Sequence, residues 1–350
     1  MPLRFVGAMT APVLSLCQVT AAEDGVTTDL VNRVLRFIGL PLGLAILVWL
    51  VLASDPAALF GVFPRIGWGF VAIIAARFAT VVVDCGAWAC LLPRRGRPPF
   101  AVMLPLRWIA ESINTTLPAA QIGGEVVRAR LLQRRLDAPA RGAASVAVDF
   151  SLSLLAQILF TLLGFVLLAR ISAAGWWPVA IAAVSVPVLA VFSWEMLVRR
   201  RLLVALARAL LRIGQRRLAA ILERLGAALA LLAESRAALA WSFSLHLMSW
   251  IGHAAELWLT LWLMGMPTGP GEALILESLS LAARSAAFLI PSGWGAQEAS
   301  LVALASVTGL PAETALALGL VKRAREFAVG LPGLAAWAIA EHRLAPRRNG

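Results

Sequence analysis

Uninterrupted apolar segments are the sequence feature that most constrains this fold. The segment Phe37–Ser54 contains no charged residue, and neither does Phe150–Ala169. An α-helix needs about 20 consecutive apolar residues to cross the hydrocarbon core of a bilayer. Hydrophobic residues make up 60% of the chain and charged residues only 14%, whereas an ordinary soluble domain is about 25% charged. One soluble core cannot bury this excess, so the sequence predicts an all-α, polytopic integral membrane protein.

Further apolar segments raise the predicted number of transmembrane helices to about six to eight. They are residues 66–92, 171–194, 240–264, 273–290, 299–321 and 327–340. Whether 299–321 spans fully or re-enters stays open, because Gly309-Leu-Pro311 breaks it. Arg77 and Asp84 lie seven residues apart, on one face of the helix predicted for 66–92. Because an unpaired charge in hydrocarbon is costly, we expect these two side chains to form an internal ion pair.

Arginines between the apolar segments predict the orientation of the chain. The net charge is +12. The loops 93–99, 128–141 and 198–236 are rich in arginine, and because such loops usually stay on the cytoplasmic side, we expect them there. The same reasoning places both termini in the cytoplasm. Residues 198–238 are typical of amphipathic helices lying on the membrane surface, and they lack the aromatic residues that stack on nucleic acid bases. We therefore expect no nucleic acid partner.

The expected organisation has five parts. They are an N-terminal tail (1–35), a first membrane half (36–197), the basic amphipathic segment (198–238), a second membrane half (239–342) and a basic tail (343–350).

Two similar polar motifs interrupt the apolar sequence, one in each half. The first runs from Asn114 through Pro118, Gly123, Gly124 and Glu125 to Arg128, and the second contains Pro291, Gly293, Gly295 and Glu298. In both, a glutamate follows the proline by seven residues. Proline removes a backbone donor and glycine permits unusual dihedral angles, so each motif predicts a broken or re-entrant helix. A helix–loop–helix corner at the membrane surface is the alternative. Transporters use paired breaks of this kind to form a substrate site.

The two motifs are related by a fixed offset of 173 residues, from Pro118 to Pro291. The same offset sets Glu111 against Arg284, and Asp149 against Lys322. Opposite charges at corresponding positions could meet around a shared cavity if the halves form an inverted repeat. Two such matches could also arise by chance.

A third polar cluster, Lys322-Arg323-Ala-Arg325-Glu326, lies between two apolar segments. It forms either a short cytoplasmic turn or a set of cations that face a lipid headgroup. Arg323 and Arg128 would suit an anionic phosphate, because a guanidinium can form two parallel hydrogen bonds with it.

Three residues on one face of the segment 240–264 invite comparison with a metal site. His246, His253 and Glu256 have spacings of seven and three residues. Packing or interhelical hydrogen bonding is the favoured interpretation, because a fourth ligand is not evident. We therefore expect no metal and no cofactor.

These motifs resemble the flippase-like membrane family, which includes the membrane domain of lysylphosphatidylglycerol synthase. The second half looks most like the branch associated with hopanoid biosynthesis. The resemblance covers about residues 35–340 and implies a bacterial inner-membrane protein that moves or handles lipids. It also implies a set of site positions: Asn114, Pro118, Gly123, Gly124, Glu125, Arg128, Asp149, Pro291, Gly293, Gly295, Glu298, Arg323 and Glu326.

Together these observations favour a lipid translocator, for phospholipid or a hopanoid-type lipid, whose site also includes Arg284 and Lys322. The expected partners are membrane lipids with anionic headgroups, and a homo-oligomer or proteins of lipid biosynthesis are further candidates. Two alternatives remain. One is a membrane-embedded lipid-modifying transferase, with Glu125 and Glu298 as acid/base candidates. The other is a non-catalytic partner in a lipid-synthesis complex.

Overall fold

The computed structural model describes residues 61, 63–93, 97–117, 123–133, 139–171, 235–266, 268–286 and 295–344, with a few single positions between 208 and 227. This part of the chain is entirely helical. Its elements are α1 (Phe63–Ile66), α2 (Gly69–Leu91), α3 (Phe100–Thr116), α4 (Gly123–Gln133), α5 (Pro139–Ile171), α6 (Arg236–Leu263), α7 (Pro270–Ala286), α8 (Ala296–Thr308) and α9 (Ala312–Leu344).

Two of these helices are long and apolar enough to cross a bilayer. They are Gly69–Leu91 and the part of α5 from Gly142 to Ile171. Among the described residues, no other helix combines this length with this hydropathy, so the count of six to eight spans stays a prediction. The predicted span Phe37–Ser54 and nearly all of 171–194 lie outside the described residues, as do the tail 1–35, Pro118, Pro291 and Gly293.

The break predicted within 299–321 is present, and the turn proposed at 322–326 is not. Helix α8 ends at Thr308, and Gly309 adopts a left-handed conformation with φ of 74°. Pro311 follows, and α9 begins at Ala312. Helix α9 then continues without interruption to Leu344, so the interpretation of Lys322–Glu326 as a surface turn is wrong. The charged side chains of this run are buried against other helices, so the chain does not have to leave the helix to place them in water.

The second half of the chain repeats the helices of the first at the offset found in the sequence. Adding 173 to the bounds of α5 gives 312–344 (139 + 173 and 171 + 173), which are the bounds of α9. Adding 173 to the first residue of α4 gives 296, where α8 begins. Helices α3 and α7 both contain 17 residues. The described part of the chain therefore contains two corresponding four-helix units, α2–α5 and α6–α9, although α7 begins at Pro270, three residues before the position that the offset gives (100 + 173 = 273).

The two units exchange packing partners. Helix α3 packs on α9, and its counterpart α7 packs on α5, while α2 and its counterpart α6 pack on each other. This reciprocal pattern is what a twofold relation between the units produces. It brings the helix breaks of both units towards a shared interior, where the site described below is located.

Candidate functional site

The break in the first unit is held by an asparagine and a glycine. Helix α3 ends at Thr116, and α4 begins at Gly123. The side-chain oxygen of Asn114 accepts a hydrogen bond from the backbone N–H of Gly124 (2.8 Å), one of the unpaired donors at the start of α4. A Cβ atom at Gly124 would overlap the carbonyl oxygen of Ala110. Glycine is therefore required here, because the backbone of α4 touches that of α3.

The break in the second unit is closed by the matching glutamate. Gly295 precedes α8 with φ of 77°, a conformation that favours glycine. Its N–H donates to Oε2 of Glu298 at 2.8 Å. Glu298 and its counterpart Glu125 both occupy the third position of their short helices, near the positive end of the helix dipole. Gly319 lies on the neighbouring helix α9, and its lack of a side chain leaves room for the side chain of Glu298.

Six residues from five helices form what we call the first charge cluster. Its members are Asp84, Arg107, Glu125, Arg128, Asp149 and His246. Arg107 contacts Asp84 (3.1 Å) and Glu125 (3.4 Å). Arg128 contacts Glu125 (2.5 Å) and Asp149 (2.7 Å). His246 lies between Asp84 (3.1 Å) and Asp149 (2.9 Å).

Arg128 is the most deeply buried cation of this cluster. Its side chain has no solvent exposure, and its guanidinium carbon lies 4.6 Å from the centre of the Trp88 ring. An indole face attracts a cation, so Trp88 supplements the two carboxylates that compensate for the lost hydration of Arg128.

Eight residues around α8 and α9 form what we call the second charge cluster. Its members are Glu256, Glu277, Arg284, Glu298, Lys322, Arg323, Arg325 and Glu326. Arg323 contacts Glu298 (2.6 Å) and Glu326 (2.7 Å), and Arg284 contacts Glu326 (2.6 Å). Lys322 pairs with Glu277, and Arg325 with Glu256 (2.8 Å). Every carboxylate of the cluster thus has a cationic partner.

A cavity of about 300 Å³ lies between the two clusters. Its wall includes Arg107 and Glu125 from the first cluster, and Lys322, Arg325 and Glu326 from the second. Side chains of both repeat units therefore face one shared space. An arrangement of this kind can bind a small charged group by direct hydrogen bonds to guanidinium and carboxylate groups.

The charge correspondences predicted from the offset are realised only in part. Glu111, Arg284 and Lys322 line the cavity, whereas Asp149 is fully buried beside Arg128 and His246. None of the predicted pairs forms directly: Glu111 pairs with Arg77, and Arg284 with Glu326. Each of these two charges pairs with a residue on a neighbouring helix and not with its counterpart in the other repeat unit.

The predicted ion pair between Arg77 and Asp84 is wrong. Arg77 contacts Glu111 and His253, and Asp84 contacts Arg107 and His246. Seven residues in a helix correspond to a rise of about 10 Å, so two side chains at this spacing share a face without touching.

The three residues considered as metal ligands, His246, His253 and Glu256, each contact different partners. His246 contacts two aspartates, His253 contacts Arg77 (2.5 Å), and Glu256 contacts Arg325. They provide interhelical hydrogen bonds, as the sequence favoured. Among the described residues, no group of histidine, cysteine or carboxylate side chains is arranged to hold a metal ion.

Sequence reasoning missed Arg107 and Glu277 as site residues, and it identified Arg325 only as a member of the polar cluster 322–326. Each is buried and ion-paired at the cavity wall. Arg107 and Glu277 could have been found because each is a charged residue inside an apolar segment. Such residues in membrane helices commonly face the protein interior.

Comparison with known proteins gives one match. The family model described as the lysylphosphatidylglycerol synthase TM region matches residues 36–333. No curated protein and no solved structure matches the chain. The match covers the first repeat unit, the second as far as residue 333, and both charge clusters.

Proposed function

We propose, since the chain belongs to the family of the lysylphosphatidylglycerol synthase transmembrane region, that this membrane protein binds a phospholipid headgroup in the cavity between its charge clusters and translocates it across the bilayer. The observation that carries the proposal is a charge-lined cavity formed by both repeat units. In a membrane protein such a cavity is a functional site by default, because buried ionisable groups are costly there.

Unsatisfied donors favour an anionic headgroup such as a phosphodiester. Within the described part of the chain, the Nε atoms of Arg107 and Arg325 are buried and lack a hydrogen-bond partner. Both arginines line the cavity, and they come from different repeat units. A buried donor without a partner costs about 1–3 kcal/mol, so a ligand with phosphate oxygens would recover free energy at both ends of the cavity.

The size of the cavity fits a headgroup rather than a whole lipid. Ligand pockets commonly enclose about 300–1,000 Å³, and this cavity is at the lower end. In the proposed arrangement, the acyl chains stay in the surrounding bilayer while the polar headgroup enters between the units.

The proposal assigns headgroup contacts to the motif residues of both breaks. Glu125 and Glu326 line the cavity and contact the headgroup. Arg128, Glu298 and Arg323 do not line it, and they act by holding these two carboxylates in place. We further propose that the units form an inverted repeat in the bacterial inner membrane, with both termini cytoplasmic. Rocking of one unit against the other would then expose the cavity alternately to each leaflet.

Leaflet exchange of labelled phosphatidylglycerol in liposomes tests this function. We expect exchange well above that of empty liposomes. Leu154→Trp should lower it, because Leu154 lines the cavity and a larger side chain narrows the space for a headgroup without replacing any ion-paired residue. Arg325→Gln should lower the rate about tenfold, the effect of one lost charged hydrogen bond.

Arg130→Gln is the matched control, since Arg130 pairs with Glu341 away from the cavity and should exchange lipid at the wild-type rate. Exchange at the level of empty liposomes would refute translocation. New lipid species detected by mass spectrometry would favour the transferase, and neither exchange nor new species would favour a non-catalytic partner.

A further inference from the structure

His246 has an unusual position between two carboxylates. Its Nδ1 atom lies 3.1 Å from Oδ1 of Asp84, and its Nε2 atom lies 2.9 Å from Oδ1 of Asp149. The three residues come from three helices, α6, α2 and α5. The side chains of His246 and Asp149 have no solvent exposure. Water therefore does not mediate or screen these contacts.

With Asp84 and Asp149 both ionised, the geometry determines the number of protons on the imidazole ring. A neutral imidazole has one N–H donor and one lone pair, whereas an ionised carboxylate is only an acceptor. A neutral His246 would direct its lone pair at a carboxylate oxygen about 3 Å away. Only the imidazolium form donates to both Asp84 and Asp149 at once.

The charge balance of the first cluster requires the same proton. Asp84, Glu125 and Asp149 contribute −3, and Arg107 and Arg128 contribute +2, so the cluster sums to −1 with a neutral histidine and to zero with imidazolium. The second charge cluster contains four carboxylates and four cations and balances without a proton. Because an uncompensated buried charge is costly, only the first cluster needs to take up a proton.

The other charged groups around α6 are already paired. On α6 itself, His253 turns to Arg77 and Glu256 to Arg325. On α7, which also packs on α6, Glu277 turns to Lys322 and Arg284 to Glu326. The charged groups that act on His246 are thus Asp84 and Asp149, with Arg107, Arg128 and Glu125 behind them.

We infer that His246, held between Asp84 and Asp149, is a proton-binding site whose proton is bound together with the headgroup. The inference rests on the proposed function and names its coupling ion. Arg107 provides the physical link, because it contacts Asp84 (3.1 Å) and also lines the cavity. When the proton leaves, the cluster carries a negative charge that holds Arg107 and repels an anion. When the proton is bound, that repulsion is absent and Arg107 can serve the headgroup.

Nitrogen NMR of protein labelled with ¹⁵N-histidine tests the protonation state. The chain contains only three histidines, so the spectrum is simple. In wild-type protein at pH 7 we expect two N–H signals from His246. The signals of the other two rings can be assigned by their loss in His253→Gln and His342→Gln. A single N–H on His246 at pH 7 would overturn the inference, and this measurement needs no substitution at the site.

Binding of dihexanoyl phosphatidylglycerol at a series of pH values tests the coupling. We expect affinity to fall about tenfold where the second N–H signal of His246 disappears, a coupling typical of linked sites. His246→Gln should bind with an affinity that no longer changes over this range. The control His342→Gln should behave as wild type, because His342 is exposed and remote from the cavity. Wild-type affinity that does not change with the second N–H signal, or the same pH dependence in His246→Gln, would overturn the coupling.

The two proposals fail in different ways. Coupled binding without leaflet exchange would remove translocation and leave the proton site intact. Leaflet exchange with a neutral His246 would remove the proton site and leave translocation intact.

Discussion

Replacing Arg128 by leucine tests whether buried charge compensation stabilises the fold. Arg128 is fully buried and contacts Asp149 (2.7 Å) and Glu125 (2.5 Å). Its removal leaves both carboxylates with fewer cations in a dehydrated site. Breaking a buried ion pair in this way costs about 3–5 kcal/mol, because the remaining charge is not compensated.

Arg130 on the same helix provides a matched control. It pairs with Glu341, but its side chain is 23% exposed. Water can solvate both partners after substitution, so Arg130→Leu should cost no more than about 1 kcal/mol. The two variants change the same residue type two positions apart, and burial is the principal difference between them.

Thermal unfolding in detergent, followed by a thiol-reactive dye, measures the difference. The thiol of Cys85 is buried in the native state and becomes reactive when the helices separate. With about 2–4 °C lost per kcal/mol, Arg128→Leu should lower Tm by about 10 °C, and Arg130→Leu by no more than about 4 °C. Equal losses for the two variants would refute the argument that burial makes the Arg128 contacts strong.

Three further substitutions test individual parts of the structure. Gly124→Ala should destabilise the protein by about 1–3 kcal/mol because the new Cβ meets the Ala110 carbonyl, whereas Gly271→Ala, with open space around it, should not, and thermal unfolding compares them. Gly295→Ala should cost about 1–2 kcal/mol because alanine is strained at φ of 77°, and an unchanged Tm would contradict this. Arg77→Gln should slow leaflet exchange, because Glu111 at the cavity wall loses its cation; an unchanged rate in folded protein would exclude Arg77 from the transport site.

The helix breaks and the repeat could be predicted from sequence because they depend on local chemistry. Glycine acts on its own backbone: Gly124 permits the close approach of α4 to α3, and Gly295 permits the positive φ before α8. Pro118 and Pro291 lie outside the described residues. The 173-residue offset needed no knowledge of packing, and it reproduces the bounds of α5 and α9. Helix continuity through Lys322–Glu326 was harder to predict, because a charged run is solvated in most proteins and is buried here.

The charge pairs could not be predicted in the same way, since they depend on which helices become neighbours. Asp84 was assigned to Arg77 on its own helix, but its partners Arg107 and His246 lie 23 and 162 residues away. Periodicity identifies the face on which a charge lies and does not identify the helix that packs against that face. Arg107 received no role in the sequence analysis, although it joins Asp84 to Glu125 and lines the cavity.

The repeat also explains why the two clusters differ. Subtracting 173 from His246 gives Ile73, and adding 173 to Arg128 gives Leu301. Within the two clusters, the glutamate at the third position of α4 and α8 is the charged residue that both units retain. The units therefore share a backbone and the helix-start carboxylate, and they differ in the side chains that neutralise it: Arg107 and Arg128 in one unit, Arg323 in the other. A cavity between such units has chemically different walls. If the proton bound at the first wall crosses the bilayer together with the headgroup, a proton gradient can set the direction of headgroup movement.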